Sequence, residues 1–126
     1  MAPQPQHIPW RNVASETLTP LLERQFVSGR QAMLARFHLR KGCVVPEHSH
    51  VSEQISYILT GALKFQFPRE DGSVDDFVIC GGEVLVIPAN LPHSAVALED
   101  TDALDIFSPI REDWLSGRDG YVRGQR

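Results

Sequence analysis

The residues of this chain whose types and spacing best suit chemistry are histidines. His48 and His50 stand two positions apart, where a strand is expected to begin, and His93 follows the loop Pro88–Pro92. Side chains at positions i and i+2 of a strand project from one face, so the first two imidazoles converge on one point. Neutral imidazole is the commonest nitrogen ligand of borderline divalent metals. The pair is a candidate metal site, although the same pattern also occurs in exposed polar pairs.

A fourth ligand is expected from Glu53 or Gln54, which follow the histidine pair. If one unbroken strand runs through this segment, positions 48, 50, 52 and 54 share a face and Glu53 points away. A β-bulge would reverse this order. The strand parity therefore favours Gln54 and keeps Glu53 as the alternative.

The segments that must position these residues have the pattern of a β-protein. From Thr17 onward the chain consists of short alternating stretches separated by Gly and Pro, which is typical of a sandwich or barrel. Met33–Arg40 alternates apolar and polar residues with period two. Leu63–Phe67 does the same before a turn containing Asp-Gly, so we expect a hairpin with Asp76–Cys80.

We predict a single all-β domain with an antiparallel barrel. Residues 1–16 are expected to form an extended N-terminal arm, 17–117 the barrel and 118–126 a polar, solvated C-terminal tail. The single helical candidate is a turn or two around 111–115. The chain has 126 residues, which is enough for one hydrophobic core.

Composition excludes several classes of function. The net charge of −4 argues against nucleic acid or an anionic membrane as the main partner. The two cysteines, Cys43 and Cys80, are too few for a disulfide scaffold, and we expect both to be buried and reduced. The N-terminal sequence lacks the pattern of a secretory signal, and no apolar run reaches the length of a membrane span. A cytoplasmic location is the expectation.

The spacing of these residues resembles the two sequence motifs of the cupin family. The first consists of Gly42, five residues, His48, one residue, His50, three residues, Gln54, six residues and Gly61, and the second of Gly82, five residues, Pro88, four residues and His93. The resemblance implies a jelly-roll barrel in which three histidines and one acidic residue bind a metal ion. This sequence departs from the motifs with Gln54 in place of the acid, Asn90 in place of a glycine and Ala97 in place of an asparagine. A neutral fourth ligand leaves a divalent ion its full charge, which favours anionic ligands.

A second group of residues lies in the segment Ala103–Arg111. On a strand, Asp105 and Phe107 share one face, and Leu104 and Ile106 take the other. If Leu104 and Ile106 pack outside the cavity, Asp105 points into it. A buried carboxylate is costly unless it is paired or used, and an Asp105–Arg111 ion pair that braces the C-terminal turn is one interpretation.

This segment and the first motif together resemble one cupin branch, the KdgF type of pectin and alginate degradation. The resemblance implies a metal-dependent enzyme that converts 4,5-unsaturated uronates to linear 4-deoxy-5-keto uronates. It implies catalytic roles for Asp105, Phe107 and Arg111 and a metal site with glutamine at Gln54. A metal- and anion-binding sensor without turnover, and a metal-dependent oxygenase or isomerase, stay open as alternatives.

The nature of the ligands and partners is expected only in broad terms. His-rich sites accept zinc, nickel, manganese, iron or cobalt, so the sequence predicts one divalent transition metal ion of unassigned identity. The expected partner is a small anionic sugar acid. A homodimer is expected because small jelly rolls often protect edge strands by pairing.

Overall fold

The fold contains two antiparallel sheets that face each other. A computed structural model describes residues 3–124 of the chain. Its ten strands are β1 (Glu16–Thr19), β2 (Leu22–Ser28), β3 (Met33–Leu39), β4 (Val44–His48), β5 (Glu53–Thr60), β6 (Ala62–Pro68), β7 (Val74–Cys80), β8 (Val84–Ile87), β9 (His93–Ala97) and β10 (Thr101–Ser108). A 3₁₀ turn at Trp10–Asn12 precedes the strands, and a short helix α1 at Glu112–Leu115 and a second 3₁₀ turn at Gly120–Arg123 follow them.

The strand order is that of a jelly roll. One sheet has the order β1-β2-β3-β10-β5-β8 and the other the order β4-β9-β6-β7, and every pairing is antiparallel. Because consecutive strands alternate between the two sheets from β3 to β6, loops cross from one sheet to the other at the barrel ends. The predicted all-β jelly-roll barrel is confirmed.

Strict inside–outside alternation builds the core. Along β3 every second residue from Met33 to Leu39 is buried, and along β10 the buried face carries Ala103, Asp105 and Phe107. The pairing of β10 with both β3 and β5 places this face at the centre of the six-stranded sheet. The inward face of β10 therefore projects into the barrel.

The outer face of the six-stranded sheet is partly apolar. Tyr57 pairs with Val84 and Ile55 pairs with Val86 and Ile106, so these side chains form neighbouring rows. Four members of the rows, Tyr57, Val84, Val86 and Ile106, are between 42% and 55% exposed. This patch is on the face of the sheet away from the barrel interior.

Two turns require special backbone conformations. Gly61 between β5 and β6 has a φ of 94°, and a Cβ atom there would lie 2.4 Å from the Asp100 carbonyl oxygen. Asn90, where the cupin motif usually has glycine, adopts a φ of 63°. Asparagine tolerates the left-handed region better than most residues, so this departure preserves the turn before His93.

The C-terminal segment differs from the sequence-based expectation. The helix is confirmed as α1, but the prediction of a solvated tail after Gly117 is wrong for the described residues. Asp119 and Val122 are buried, and the carboxylate of Asp119 accepts a 2.8 Å bond from the buried guanidinium of Arg24 on β2. The last two positions, 125 and 126, lie outside the described residues.

The N-terminal boundary and the cysteines need smaller corrections. Residues 3–8 are exposed and extended as expected, but β1 already begins at Glu16, and positions 1 and 2 lie outside the described residues. Cys43 is buried as predicted, whereas Cys80, at the end of an edge strand, is exposed. In the part of the chain that the structure describes, no helix is long and apolar enough to cross a membrane.

Candidate metal centre

Three histidines meet at one end of the barrel. His48 ends β4 and pairs across the sheet with His93, which begins β9. His50 lies in the loop between β4 and β5, so the expected single strand through both motif histidines is wrong. The loop nevertheless curves back, and one ligand nitrogen from each ring lies within 4.8 Å of the others. The convergence comes from a strand pair and a loop instead of one strand face.

Backbone hydrogen bonds fix the protonation of all three rings. The Nδ1 atoms of His48, His50 and His93 each lie 2.8 Å from a carbonyl oxygen two residues away, at Pro46, Ser52 and Leu91. A carbonyl only accepts, so each Nδ1 must carry the proton and donate it. Each neutral ring therefore keeps its lone pair on Nε2, which is the tautomer that binds a metal.

Gln54 supplies an oxygen to the same point. It is buried on β5, whereas the neighbouring Glu53 is exposed. Its amide nitrogen donates to Ser56 Oγ at 2.9 Å, which turns the amide oxygen toward His50 Nε2 at 3.1 Å. The structure thus places Gln54 and not Glu53 beside the histidines, and its role as a ligand stays a prediction.

The polar atoms at this point fit a bound cation. His93 Nε2 is buried and has no hydrogen-bond partner among residues 3–124. The His50 nitrogen and the Gln54 oxygen are two lone-pair atoms facing each other, which is unfavourable unless a positive centre lies between them. Two ligands at bond lengths of about 2.1 Å are separated by about 3.0–3.4 Å in octahedral or tetrahedral geometry. The observed 3.1 Å falls in this range.

The electrostatic environment keeps the imidazoles neutral. Burial lowers the pKa of His48 from 6.5 to about 3. The hydrogen bond to Pro46 opposes this shift, whereas the charges of His93 and Arg111 lower the pKa further. Burial also lowers the pKa of His50 and of His93, and the Arg111 charge acts in the same direction. Before any metal binds, the site therefore holds uncharged donors at neutral pH, and little proton release accompanies binding.

Asp105 is the acidic group of the cavity. It faces inward from β10, opposite Ser56 on β5. Burial raises the pKa of this carboxyl from 3.8 to about 6, although hydrogen bonds with Ser56 and Gln54 and the Arg111 charge oppose the rise. A carboxyl that titrates near neutral pH can both accept and donate a proton.

Arg111 does not pair with Asp105, so the ion-pair interpretation from the sequence is wrong. Its Nε and Nη2 atoms donate to the two carboxylate oxygens of Asp113 at 2.9 and 2.8 Å, and Nη2 also donates to the Tyr121 hydroxyl. The guanidinium is 3% exposed and lies over the rings of Phe107 and Trp114 at 5.1 and 4.9 Å. Among residues 3–124, no side chain bonds to Nη1, which remains for a ligand.

Phe107 forms the apolar wall between these polar groups. Its ring is buried and meets the His50 ring edge-on at 5.5 Å between centroids and the Trp114 ring at 5.0 Å. The cavity here has a volume of about 60 Å³ and is partly open to solvent. Its polar lining consists of His48, His93, Gln54, Asp105, Arg111 and Tyr121.

The structure therefore brings six of the seven predicted site residues to one cavity, with His50 beside it in the histidine cluster, and it adds residues that the sequence did not indicate. Tyr121 and Trp114 come from the segment predicted to be a helical turn and a tail, and Ser56 orients the Gln54 amide. Two large aromatic residues in a polar C-terminal stretch were the signal that this segment packs on the barrel.

Comparisons with known proteins identify the family and the fold. A family model described as Cupin matches residues 9–109. An auxin-binding protein of Prunus persica is 30% identical over 96 residues, which is 74% of this chain. The chain spans about half of that relative, 46% of its length.

Solved structures show the same architecture. KdgF from a Halomonas species is 29% identical with a TM-score of 0.70, over 80% of this chain and 92% of that one. An RmlC-like cupin from Shewanella frigidimarina is 26% identical with a TM-score of 0.74, over 88% and 97% of the two chains. Oxalate decarboxylase of Bacillus subtilis, whose Mn(II) centres are described, is 19% identical with a TM-score of 0.75 over 86% of this chain and 33% of that one. This last similarity concerns the fold alone.

The family model covers most of the chain and includes the three histidines and Gln54. Its match agrees with the jelly-roll order of the strands. The chain belongs to the cupin family.

Proposed function

We propose that this cupin is a metal-dependent enzyme that opens the ring of 4,5-unsaturated uronates to give linear 4-deoxy-5-keto uronates. The observation that carries the proposal is a cluster of three imidazoles, two of which line one cavity together with Gln54, a buried carboxyl and a buried guanidinium. The similarity to Halomonas KdgF extends over nearly all of that protein, which supports the same branch of the family.

His48, His50, His93 and Gln54 would hold one divalent transition metal ion. All four donors are neutral, so the ion keeps its double charge and supplies stabilisation to an oxyanion or carboxylate beside it. Among residues 3–124, the group of possible metal ligands contains three histidines and no aspartate or glutamate. The metal sites of ferrous oxygenases, in contrast, have two histidines and one carboxylate. This favours the ring-opening reaction over the oxygenase alternative.

Arg111 is the group that recognises the substrate carboxylate. Its Nε edge is occupied by Asp113, so the carboxylate would meet Nη1, with the charge-assisted hydrogen bond that guanidinium groups form with carboxylates. Phe107 and Trp114 pack against the guanidinium and against each other, which excludes water from this side of the cavity. A carboxylate bound there would be strongly oriented.

Asp105 would transfer the protons of the reaction. When the C1 hydroxyl loses its proton, the bond from C1 to the ring oxygen breaks, C1 becomes an aldehyde and the ring oxygen stays on C5 as an enolate. A proton then adds to C4 and the C5 enolate becomes a ketone. The proton that Asp105 takes from the hydroxyl balances the proton delivered to C4, so the product is an isomer of the substrate. Positioned acid–base groups typically contribute about 10²–10⁴ in rate.

The experiment is a turnover assay on the metal-loaded protein with unsaturated galacturonate. The loss of the ultraviolet absorbance of the C4=C5 enol ether is compared with the uncatalysed rate. We expect acceleration that falls about 10²–10⁴-fold in Asp105→Asn, because that change removes the proton-transfer group. Asp102→Asn, on the outer face of the same strand, is the matched control. An uncatalysed rate in the presence of each candidate metal would refute the proposal.

A second candidate function is binding of a small organic acid without turnover. The similarity to an auxin-binding protein favours it, because that relative is named for binding. This function predicts saturable binding of a carboxylate ligand that depends on Arg111, while the enol-ether absorbance decays at the uncatalysed rate. The assay above, run beside a calorimetric titration, separates the two.

A further inference from the structure

The segment from Asp119 to Arg123 closes one side of the metal-site cavity. Tyr121 and Val122 line the cavity, together with residues of β4, β5, β9 and β10. The segment is held by a buried ion pair, since Arg24 on β2 and Asp119 are both nearly inaccessible and lie 2.8 Å apart. Arg123 adds bonds to Asp119 and to Glu16 on β1. The segment is therefore anchored to the barrel at several points.

Tyr121 is the residue of this segment that reaches the site. Its ring lies 4.6 Å from the His48 ring between centroids, at 31° between planes. Its hydroxyl oxygen accepts a hydrogen bond from Arg111 Nη2. The Trp114 indole Nε1 is buried and has no hydrogen-bond partner in the part of the chain that the structure describes. Tyr121 thus contacts a candidate metal ligand and the candidate carboxylate-binding group at once.

We propose that Tyr121 is a positioning residue that fixes the guanidinium of Arg111 over the cavity and so determines the preference for carboxylate ligands. This inference rests on the proposed function for the identity of the carboxylate. It assigns a role to a residue that lies outside both cupin motifs and beyond the match to the family model.

The need for such a residue follows from the contacts of Arg111. Asp113 holds one edge of the guanidinium, and the aromatic rings of Phe107 and Trp114 pack on its faces. Ring faces attract a cation but allow it to slide and rotate, whereas a directional acceptor does not. Tyr121 supplies that second acceptor on Nη2, which leaves Nη1 directed to a ligand. Without the hydroxyl, the guanidinium would be held at this edge by Asp113 alone, whose side chain is 31% exposed, so its direction would be less firmly fixed.

The test compares Tyr121→Phe with wild type in the zinc-loaded protein. The probes are D-galacturonate, which carries the carboxylate but has no enol ether to open, and the uncharged D-galactose. We expect Tyr121→Phe to bind galacturonate about tenfold more weakly, since a hydrogen bond to a charged group typically contributes that order, with galactose binding unchanged. With unsaturated galacturonate, KM is expected to rise about tenfold while kcat changes less than about twofold. Tyr57→Phe is the matched control, because Tyr57 is the second tyrosine of the chain and lies exposed on the outer face of the barrel.

The outcomes distinguish this inference from the proposed function. If Tyr121→Phe binds galacturonate as wild type does while Arg111→Gln does not, the role of Tyr121 is refuted and the proposed function stands. If wild type binds galacturonate in a Tyr121-dependent way but opens no unsaturated ring, the positioning role stands and the proposed function falls. Equal weakening of galacturonate and galactose would mean that Tyr121 only supports the cavity wall, and this result overturns the inference. Absence of galacturonate binding in wild type overturns it as well.

Discussion

Replacement of the buried carboxyl at Asp105 by an amide should make the metal-free protein more stable at high pH. Asp105→Asn keeps the size of the side chain and its ability to bond with Ser56 and Gln54. It removes the charge that burial disfavours. The same substitution is expected to reduce turnover, so stability and activity should change in opposite directions.

The magnitude follows from the pKa of Asp105, which burial raises from 3.8 to about 6. A folded-state pKa above the unfolded value means that the folded protein binds more protons between these two pH values. The stability that this group contributes is therefore complete below about pH 4 and is lost as the pH rises through about 6. Each pKa unit corresponds to about 1.4 kcal/mol, so the loss amounts to about 3 kcal/mol.

The assay is urea or thermal unfolding of the metal-free protein at two pH values. At about pH 4.5 the Asp105 carboxyl of the folded protein is mostly protonated, and at about pH 8 it is ionised. Near pH 8 we expect Asp105→Asn to be more stable than wild type by about 3 kcal/mol, or about 10 °C in Tm. Near pH 4.5 the gain should be much smaller. Asp102→Asn makes the same chemical change on the outer face of β10 and serves as the control. A gain that is equal at both pH values, or absent at pH 8, would refute the electrostatic reasoning.

Three further predictions concern the metal site and the surface. Zinc at about 100 times its Kd should stabilise wild type by about 2.7 kcal/mol in thermal unfolding. His93→Ala should lose this stabilisation, because the buried Nε2 atom of His93, which has no hydrogen-bond partner among residues 3–124, is the expected zinc ligand. Gln54→Glu should bind zinc more tightly in a competition titration yet turn over about tenfold more slowly, because a carboxylate cancels half of the charge that stabilises the oxyanion; an unchanged kcat would contradict this. We also propose a homodimer formed through the apolar patch on the outer face of the six-stranded sheet. Light scattering should give twice the chain mass for wild type and a monomer for Ile106→Lys, and a monomeric wild type would contradict it.

The sequence alone was sufficient for the class of fold and for which face of a strand is buried. Alternation of period two in Met33–Arg40 and in Ala103–Phe107 predicted which side chains share a face, because successive residues of a strand necessarily point to opposite sides. The same argument placed Asp105 and Phe107 on one face, and the structure shows that this face is buried. Motif spacing identified the three histidines, since the relevant turns have fixed lengths.

The sequence was less reliable where the chain leaves a regular strand. The parity argument assumed one strand from His48 to Gln54, but the chain forms a loop between β4 and β5, and Gln54 faces the histidines because β5 starts anew at Glu53. One interpretation of the sequence paired Arg111 with Asp105. The turn into α1 instead brings Asp113 against the guanidinium.

What the sequence determined by itself was the set of donors, because ligand types and strand periodicity are local properties. What only the tertiary structure decided was their environment. Three backbone carbonyls select the Nε2 lone pairs, Ser56 turns the Gln54 amide, and burial raises the pKa of Asp105. Tyr121 reaches the cavity from a segment that is tied to the barrel by the ion pair between Arg24 and Asp119, which are 95 positions apart. Contacts at such separations depend on how the two sheets and the C-terminal segment pack, and no local pattern specifies them.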